Sequence, residues 1–416
     1  MTTSAGNLGK TSAGVERLET DALQSNLDLR VAVARVTQAR AVFDGVARER
    51  YPIVTAGGSV DRREQAIPGF TEEPVRTSTY RAGFDAFWEI DLFGRVRSAV
   101  RAASATASSL EATLDDVRVS VAAEVARNYF ELRGLQQQFA VAERSLVNQQ
   151  ETLRLTTVRR DLGVGEEQDV ASAAARVAAI EASLPPLRTA LAARQHRIAV
   201  LTGVRPGELT VNLAPRPYTP LAKALPLGNP ALLLQRRPDI RAAERRVAAA
   251  SAREGVAAAD LFPRVSISGF LGLLAGRGNL FGTADSRAWA VTPALSWAAF
   301  DLGSARARLR GARGNTDEVI ADYEQTVLRA LEEAENALVA YREEQERLVK
   351  LVDQARESSR AAGIARVRYR EGVADFLALL DAERTQLQAE DSVAQAESGV
   401  FTAVVAVYKA LGGVVQ

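Results

Sequence analysis

Cysteine is absent from the 416 residues, which excludes disulfides and thiolate metal sites. Histidine occurs once, as His196, and that removes almost every histidine-based catalytic or zinc arrangement. Net charge is nearly absent as well. Lysine plus arginine number 52 against 51 aspartate plus glutamate, a balance of +1, so no electrostatic argument points to nucleic acid. Aromatics make up only 6% of the chain. No apolar run reaches the roughly 18 residues that a membrane-spanning helix needs. The opening MTTSAGNLGK carries no apolar h-region of a signal peptide. A phosphate-binding glycine loop, a metal cluster and a nucleophile–base set are all missing, so no catalysis, cofactor or metal is expected. A β-barrel route into a membrane stays open, because barrel strands leave a weak hydropathy signal.

What is present is a repeat. Asp28-Leu29-Arg30 and Tyr51-Pro52 recur as Asp239-Ile240-Arg241 and Phe262-Pro263, an offset of 211 in both cases (28 to 239, 52 to 263). Asn128 matches Asn336, Gly163-Val164 matches Gly372-Val373, and Leu201-Thr202-Gly203-Val204 matches Leu411-Gly412-Gly413-Val414. Each half reads as short helix, two strands, very long helix, turn and long helix. The halves meet in a linker near 205–236, where Pro206, Pro215, Pro217, Pro220, Pro226 and Pro230 oppose regular helix.

The strand segments alternate with period two. Tyr80, Ala82, Phe84, Ala86, Trp88 and Ile90 share one face, with Arg81, Asp85 and Glu89 on the other. Val54, Ala56 and Val60 repeat the pattern before them; Val265, Ile267 and Leu271, then Trp289, Val291 and Leu295, repeat it in the second half. A soluble sheet packed on a helix would show the same alternation. Strands of roughly 10–13 residues are long enough for tilted membrane strands, with the apolar face to lipid and the polar face to a lumen. Four strands are too few to close a barrel, and open edges are not tolerated in lipid, so several chains must share one. Trp88, Phe93, Trp297 and Phe300 fall near strand ends, where interfacial aromatics belong.

From about Arg95 to Arg160, and from Ala305 to Tyr369, no proline interrupts text rich in alanine, glutamate, arginine and leucine. Some 65 helical residues would span on the order of 100 Å, a length suited to a coiled coil or helical tube. Gly163, Gly165 and Gly372 are candidate turn residues between antiparallel helices. Pro185-Pro186 is expected to kink or break the first return helix. The acidic pairs Asp115/Asp116 and Glu332/Glu333 read as solvated faces, and His196 as a surface or packing residue.

The stretch Leu225 to Arg246, containing Arg236-Arg237-Pro238-Asp239-Ile240-Arg241, is a family hallmark. So are Phe262-Pro263, Arg368-Tyr369-Arg370-Glu371-Gly372-Val373 leading to Leu379-Leu380-Asp381-Ala382-Glu383-Arg384, and the ending Val407 to Gly413. Together, across roughly 20–414, they resemble the TolC-like outer-membrane factors of tripartite efflux systems, in the OprM/NodT lipoprotein branch. The resemblance implies a mainly α protein with membrane β structure, a two-repeat protomer of a homotrimer. Three copies would form a 12-stranded β-barrel in outer-membrane lipid, a long 12-helix periplasmic α-barrel and a mixed equatorial domain. The implied division is 1–50 equatorial, 51–94 first barrel hairpin, 95–204 first periplasmic helical hairpin, 205–261 linker and equatorial helix, 262–303 second barrel hairpin, and 304–416 second helical hairpin and C-terminal end. The implied partners are a periplasmic adaptor (membrane fusion protein) and an inner-membrane resistance–nodulation–division transporter, with no nucleic acid. The branch also implies a signal peptide and a lipid-bearing cysteine, and this sequence shows neither.

By position, the resemblance places Leu377, Asp381 and Arg384 in a periplasmic gate, with Tyr369 just before the turn. Threefold symmetry would make a leucine ring an apolar constriction and an aspartate ring a cation-attracting one. Arg160, Glu166 and Asp169 mark the corresponding first-repeat turn, and Arg81 and Asp85 the barrel lumen. Without the resemblance, the gate residues read as helix packing plus a surface ion pair. An exit duct for protein secretion and a soluble coiled-coil scaffold are the rival functions.

Overall fold

A computed structural model describes residues 12–66, 69, 73–209, 211–215 and 236–413. The hallmark residues Leu225–Gln235, most of the proline-rich linker, the extreme N-terminus and Val414 lie outside the described residues. The chain divides into two compact units, one of residues 1–33, 113–240 and 327–416, the other of 34–112 and 241–326.

In order, the elements are α1 (Ser12–Ser25), α2 (Leu27–Arg48), β1 (Ile53–Gln65), β2 (Val75–Ile90), α3 (Arg95–Asp161), α4 (Glu167–Leu201), α5 (Pro238–Ala259), β3 (Arg264–Ala275), β4 (Arg287–Ser296), α6 (Leu302–Arg370) and α7 (Phe376–Ala410). Helices α3 and α6 run 67 and 69 residues, as their proline-free, alanine-rich sequences allow. Pro185 and Pro186 do not break α4, which is continuous from Glu167 to Leu201. Ile180 and Leu184, on the turns leading into the prolines, are buried, and that packing holds the helix across the two missing donors.

The second unit carries a single antiparallel sheet in the order β1-β2-β3-β4, so β1 and β4 are its edges. The register aligns Val54, Ala86, Gly269 and Val291 across the four strands, and likewise Ala56, Phe84, Leu271 and Trp289. This face is apolar and open: Val54, Phe84, Leu271, Trp289, Val291 and Leu295 are all exposed. The opposite face holds Thr55, Ser59, Arg81, Asp85, Ser266, Ser268 and Thr292. There Gly83 pairs with Gly272, and a Cβ on Gly83 would sit 2.5 Å from the Leu271 carbonyl oxygen and 2.7 Å from the Gly272 Cα. The Phe270 ring lies over this glycine pair, and the Arg81 guanidinium stacks on it at 4.1 Å. Gly83→Ala is therefore expected to cost about 2 kcal/mol, an overpacking penalty. Thermal unfolding of the detergent-solubilised protein measures it, and an unchanged midpoint would show that the strands do not approach this closely.

Two tryptophans close the strand ends in the same way. Trp88 Nε1 donates to the Arg50 carbonyl and Trp297 Nε1 to the Leu261 carbonyl, each at 3.1 Å. Phe93 stacks on Phe262 at 4.9 Å, whereas Phe300 is fully exposed.

The first unit is built on α1, α3, α4 and α7, with Leu18, Val125, Leu132, Ile198 and Phe401 in one apolar cluster and Phe130 stacked on Phe401 at 4.8 Å. The repeat shows in its joints. Asn26 accepts from the N–H groups of Asp28 and Leu29 and donates its side-chain amide to the Leu201 carbonyl at 2.9 Å, so it starts α2 and closes the end of α4. At the equivalent position, offset by 211 (26 to 237), Arg237 donates to the Ala410 carbonyl at 2.8 Å and closes the end of α7. It also pairs with Asp239 at 2.7 Å and Glu333 at 2.8 Å. Glu333 is exposed, as the sequence suggests, while also pairing with the buried Arg237; Asp116 departs from that reading, since burial together with Asp239 raises its pKa. His196 is exposed.

Candidate functional site

Both helical hairpins turn by the same backbone device. At the end of α3 the N–H groups of Gly163 and Val164 bond back to the carbonyls of Arg160 and Arg159; at the end of α6 those of Gly372 and Val373 bond back to Tyr369 and Arg368. Gly163 and Gly372 sit at φ 72° and 75°, left-handed positions that glycine takes without strain. The return helices begin differently. Asp375 caps α7 by accepting from the Ala378 N–H at 2.8 Å, while Glu166, at the matching place before α4, makes no side-chain cap bond.

Around the second turn the structure separates the sequence candidates into a buried and an exposed group. Tyr369 is buried with Ala173, Phe376 and Leu379. Arg159 reaches it from α3, its guanidinium 4.8 Å from the ring centroid and its Nη1 donating to the Tyr369 carbonyl at 3.0 Å. Tyr369 therefore joins the two hairpins and does not stand in open space. Leu377 is 63% exposed, in a helix where Phe376 and Leu379 are buried. Asp381 and Arg384 pair at 2.6 Å, and both side chains are about two-thirds exposed. At the first turn, Arg160 bonds to Asp161 at 2.7 Å and to Glu167 at 3.0 Å, and the Asp169 N–H bonds to the Glu166 carbonyl at 3.2 Å. On the sheet, Arg81 and Asp85 form a two-pronged ion pair on the polar face.

Sequence reasoning missed Glu383. This carboxylate is buried, accepts Arg366 of α6 at 2.8 Å, and takes the Thr152 hydroxyl of α3 at 3.3 Å. The signal for it was a difference between repeats: at an offset of 209, Arg366 and Glu383 stand where the first half has Thr157 and Ala174 (157 to 366, 174 to 383).

The chain thus bears a four-stranded sheet with one apolar exposed face and one polar face, and two long helical hairpins. The chain belongs to the outer membrane efflux protein family, whose model matches residues 18–204 and 229–413, one span in each repeat. It is 32% identical over 404 residues to the probable efflux pump outer membrane protein TtgC of Pseudomonas putida, covering 96% of this chain and 83% of that one. To the outer membrane protein OprJ of Pseudomonas aeruginosa it is 30% identical over 409 residues, covering 96% and 84%. Among solved structures, the outer-membrane channel OprN matches with a TM-score of 0.95 at 52% identity, over 96% of this chain and 90% of that one. The MtrE outer membrane channel of Neisseria gonorrhoeae, in its open state, matches with a TM-score of 0.88 at 28% identity, over 99% and 94%. The protein is an outer-membrane efflux channel.

Proposed function

We propose that three copies assemble into a passive exit duct of a tripartite efflux pump for small organic molecules. Their sheets close into one 12-stranded barrel, and their long helices form a 12-helix tube in the periplasm. The observation that carries this reading is the sheet itself. Among the described residues its two edges, β1 and β4, have no further strand paired to them, and an amphipathic sheet cannot leave its edges open to lipid. The division set out from the sequence then applies, with 51–94 and 262–303 in the barrel and 95–204 and 304–416 in the tube. Arg81 and Asp85 face the lumen, while Trp88, Phe93, Trp297 and Phe300 sit at the membrane interface. A periplasmic adaptor and an inner-membrane resistance–nodulation–division transporter supply docking and energy, and the duct catalyses nothing. Relatives named for antibiotic, toluene and pyoverdine export support the substrate class.

The closed end lies at the second hairpin. Leu377, Asp381 and Arg384 recur at helical spacing, and all three are exposed in a single copy, free to meet their counterparts at a threefold axis. Three carboxylates near an axis repel one another unless cations compensate. Arg384 relieves that repulsion, and the buried Tyr369 anchors the segment to the first hairpin. Single-channel conductance in planar bilayers tests this for wild type, Leu377→Ala, Asp381→Ala and Arg384→Ala. Arg384→Ala is expected to raise the conductance, Asp381→Ala to weaken cation preference, and Leu377→Ala to widen the apolar ring. Four identical conductances and selectivities would move the constriction elsewhere, first to the turn at Arg160, Glu166 and Asp169.

A further inference from the structure

The helices α3, α4, α6 and α7 leave a cavity of about 120 Å³ between the two hairpins. That is ample room for a small ion or several waters, since one water needs only about 10–15 Å³ of such space. Its walls are polar. Arg144 and Gln149 come from α3, Arg176 from α4, Arg366 from α6, and Glu383 and Glu390 from α7. Two of the arginines are matched: Arg366 with Glu383 at 2.8 Å and Arg144 with Glu390 at 3.7 Å. Among the described residues Arg176 has no hydrogen bond or ion pair, so three arginines and two glutamates leave one positive charge in excess. Burial and the nearby Arg384 guanidinium press against that charge, with only Glu383 opposing them. A second group is also unsatisfied. Gln149 is 3% exposed, and its Nε2 has no hydrogen-bond partner.

A buried amide donor and a half-buried cation, both without acceptors and both lining one small cavity, ask for the same thing. Water satisfies the amide but leaves the charge. A single negative charge satisfies both. We propose that a small monovalent inorganic anion of about the size of chloride binds here, held by Arg176 and Gln149. Divalent oxyanions are disfavoured by the carboxylates of Glu383 and Glu390, which also line the wall. Gln149 lies on α3 and Arg176 on α4, so the anion braces the two helices of the first hairpin against each other.

Bromide is the probe, since it replaces chloride and scatters anomalously. Crystals of the full chain grown in sodium bromide are expected to show an anomalous peak within about 3.5 Å of Arg176 and Gln149. In solution, the thermal midpoint is expected to rise with bromide when gluconate keeps the ionic strength constant. Arg176→Gln and Gln149→Leu should each lose the peak and weaken the bromide response about tenfold, as befits the loss of one charge-assisted hydrogen bond. A wild-type cavity holding only water at high bromide would overturn the proposal, and that result does not depend on how the variants fold. So would variants that keep the peak, or whose midpoints respond to bromide as the wild type does.

Discussion

Arg237→Ala is expected to lower the stability of the protein by about 3 kcal/mol, the low end of the range for breaking a buried ion pair from one side, because Glu333 and Asp239 keep part of their solvent. The side chain is only 9% exposed, and three of its nitrogens are engaged, with Asp239, Glu333 and the last carbonyl of α7. Burial works against its charge, but the hydrogen bonds to Asp239 and Glu333 outweigh that and raise its pKa. Removing it would leave Asp116, Asp239 and Glu333 facing one another with Lys409 as the remaining cation among the charges that act on Asp116. It would also strip a partner from the Ala410 carbonyl. Asn26→Ala is the comparison, because it removes the equivalent joint of the first repeat without a charge. A lost cap of that kind costs about 1–2 kcal/mol. Denaturant titrations of the detergent-solubilised proteins measure both. If Arg237→Ala is no worse than Asn26→Ala, the arginine acts as a cap alone and its ion pairs contribute nothing.

Glu19→Gln is expected to stabilise the protein by about 3 kcal/mol at pH 8 and by almost nothing at pH 4. Burial on α1, reinforced by repulsion from Glu16 one turn away, pushes the Glu19 carboxyl up from 4.5 to about 7. Its charge in turn, after burial, raises the pKa of Tyr408. The sign runs opposite to that of a salt-bridged acid. Between pH 4.5 and 7 the folded chain holds a proton that the unfolded chain has released, so stability falls as pH rises through this window and stays low above it. Glutamine never ionises and removes the penalty. The test is the difference in thermal midpoint between variant and wild type across that pH range. A difference that is the same at both ends would mean that Glu19 ionises freely in the folded protein.

The repeat, the strands and their two faces were legible because each rests on local pattern. Alternation from Tyr80 to Ile90 fixes which side chains share a face before any partner strand is known, and the register then stacks Phe84 on Leu271 and Trp289. The long helices were legible from their lack of proline. What stayed hidden depends on contacts distant in sequence. Nothing local distinguishes Glu383, buried against Arg366 and Thr152, from the solvated glutamates around it. The same holds for Glu333, whose cation lies 96 positions away. At Pro185-Pro186 local chemistry predicts a kink or a break, and the break does not occur: α4 runs on through both prolines, with Ile180 and Leu184 buried ahead of them. At the candidate gate, spacing put Leu377, Asp381 and Arg384 at related positions, but only coordinates divide them from Tyr369, which faces inward.

The sheet order has a consequence in the arithmetic of direction. Four strands in sequence order, each antiparallel to the last, leave β1 and β4 running opposite ways at the two edges. Copies standing the same way up would therefore meet edge to edge at antiparallel seams, continuing the hydrogen-bond pattern found inside each copy. An odd strand count would instead place a parallel seam at every junction. Duplication of a two-strand unit can only add strands in pairs. The ancestral doubling thus preserved even parity, and any ring built from such halves closes without a change of direction at its joints.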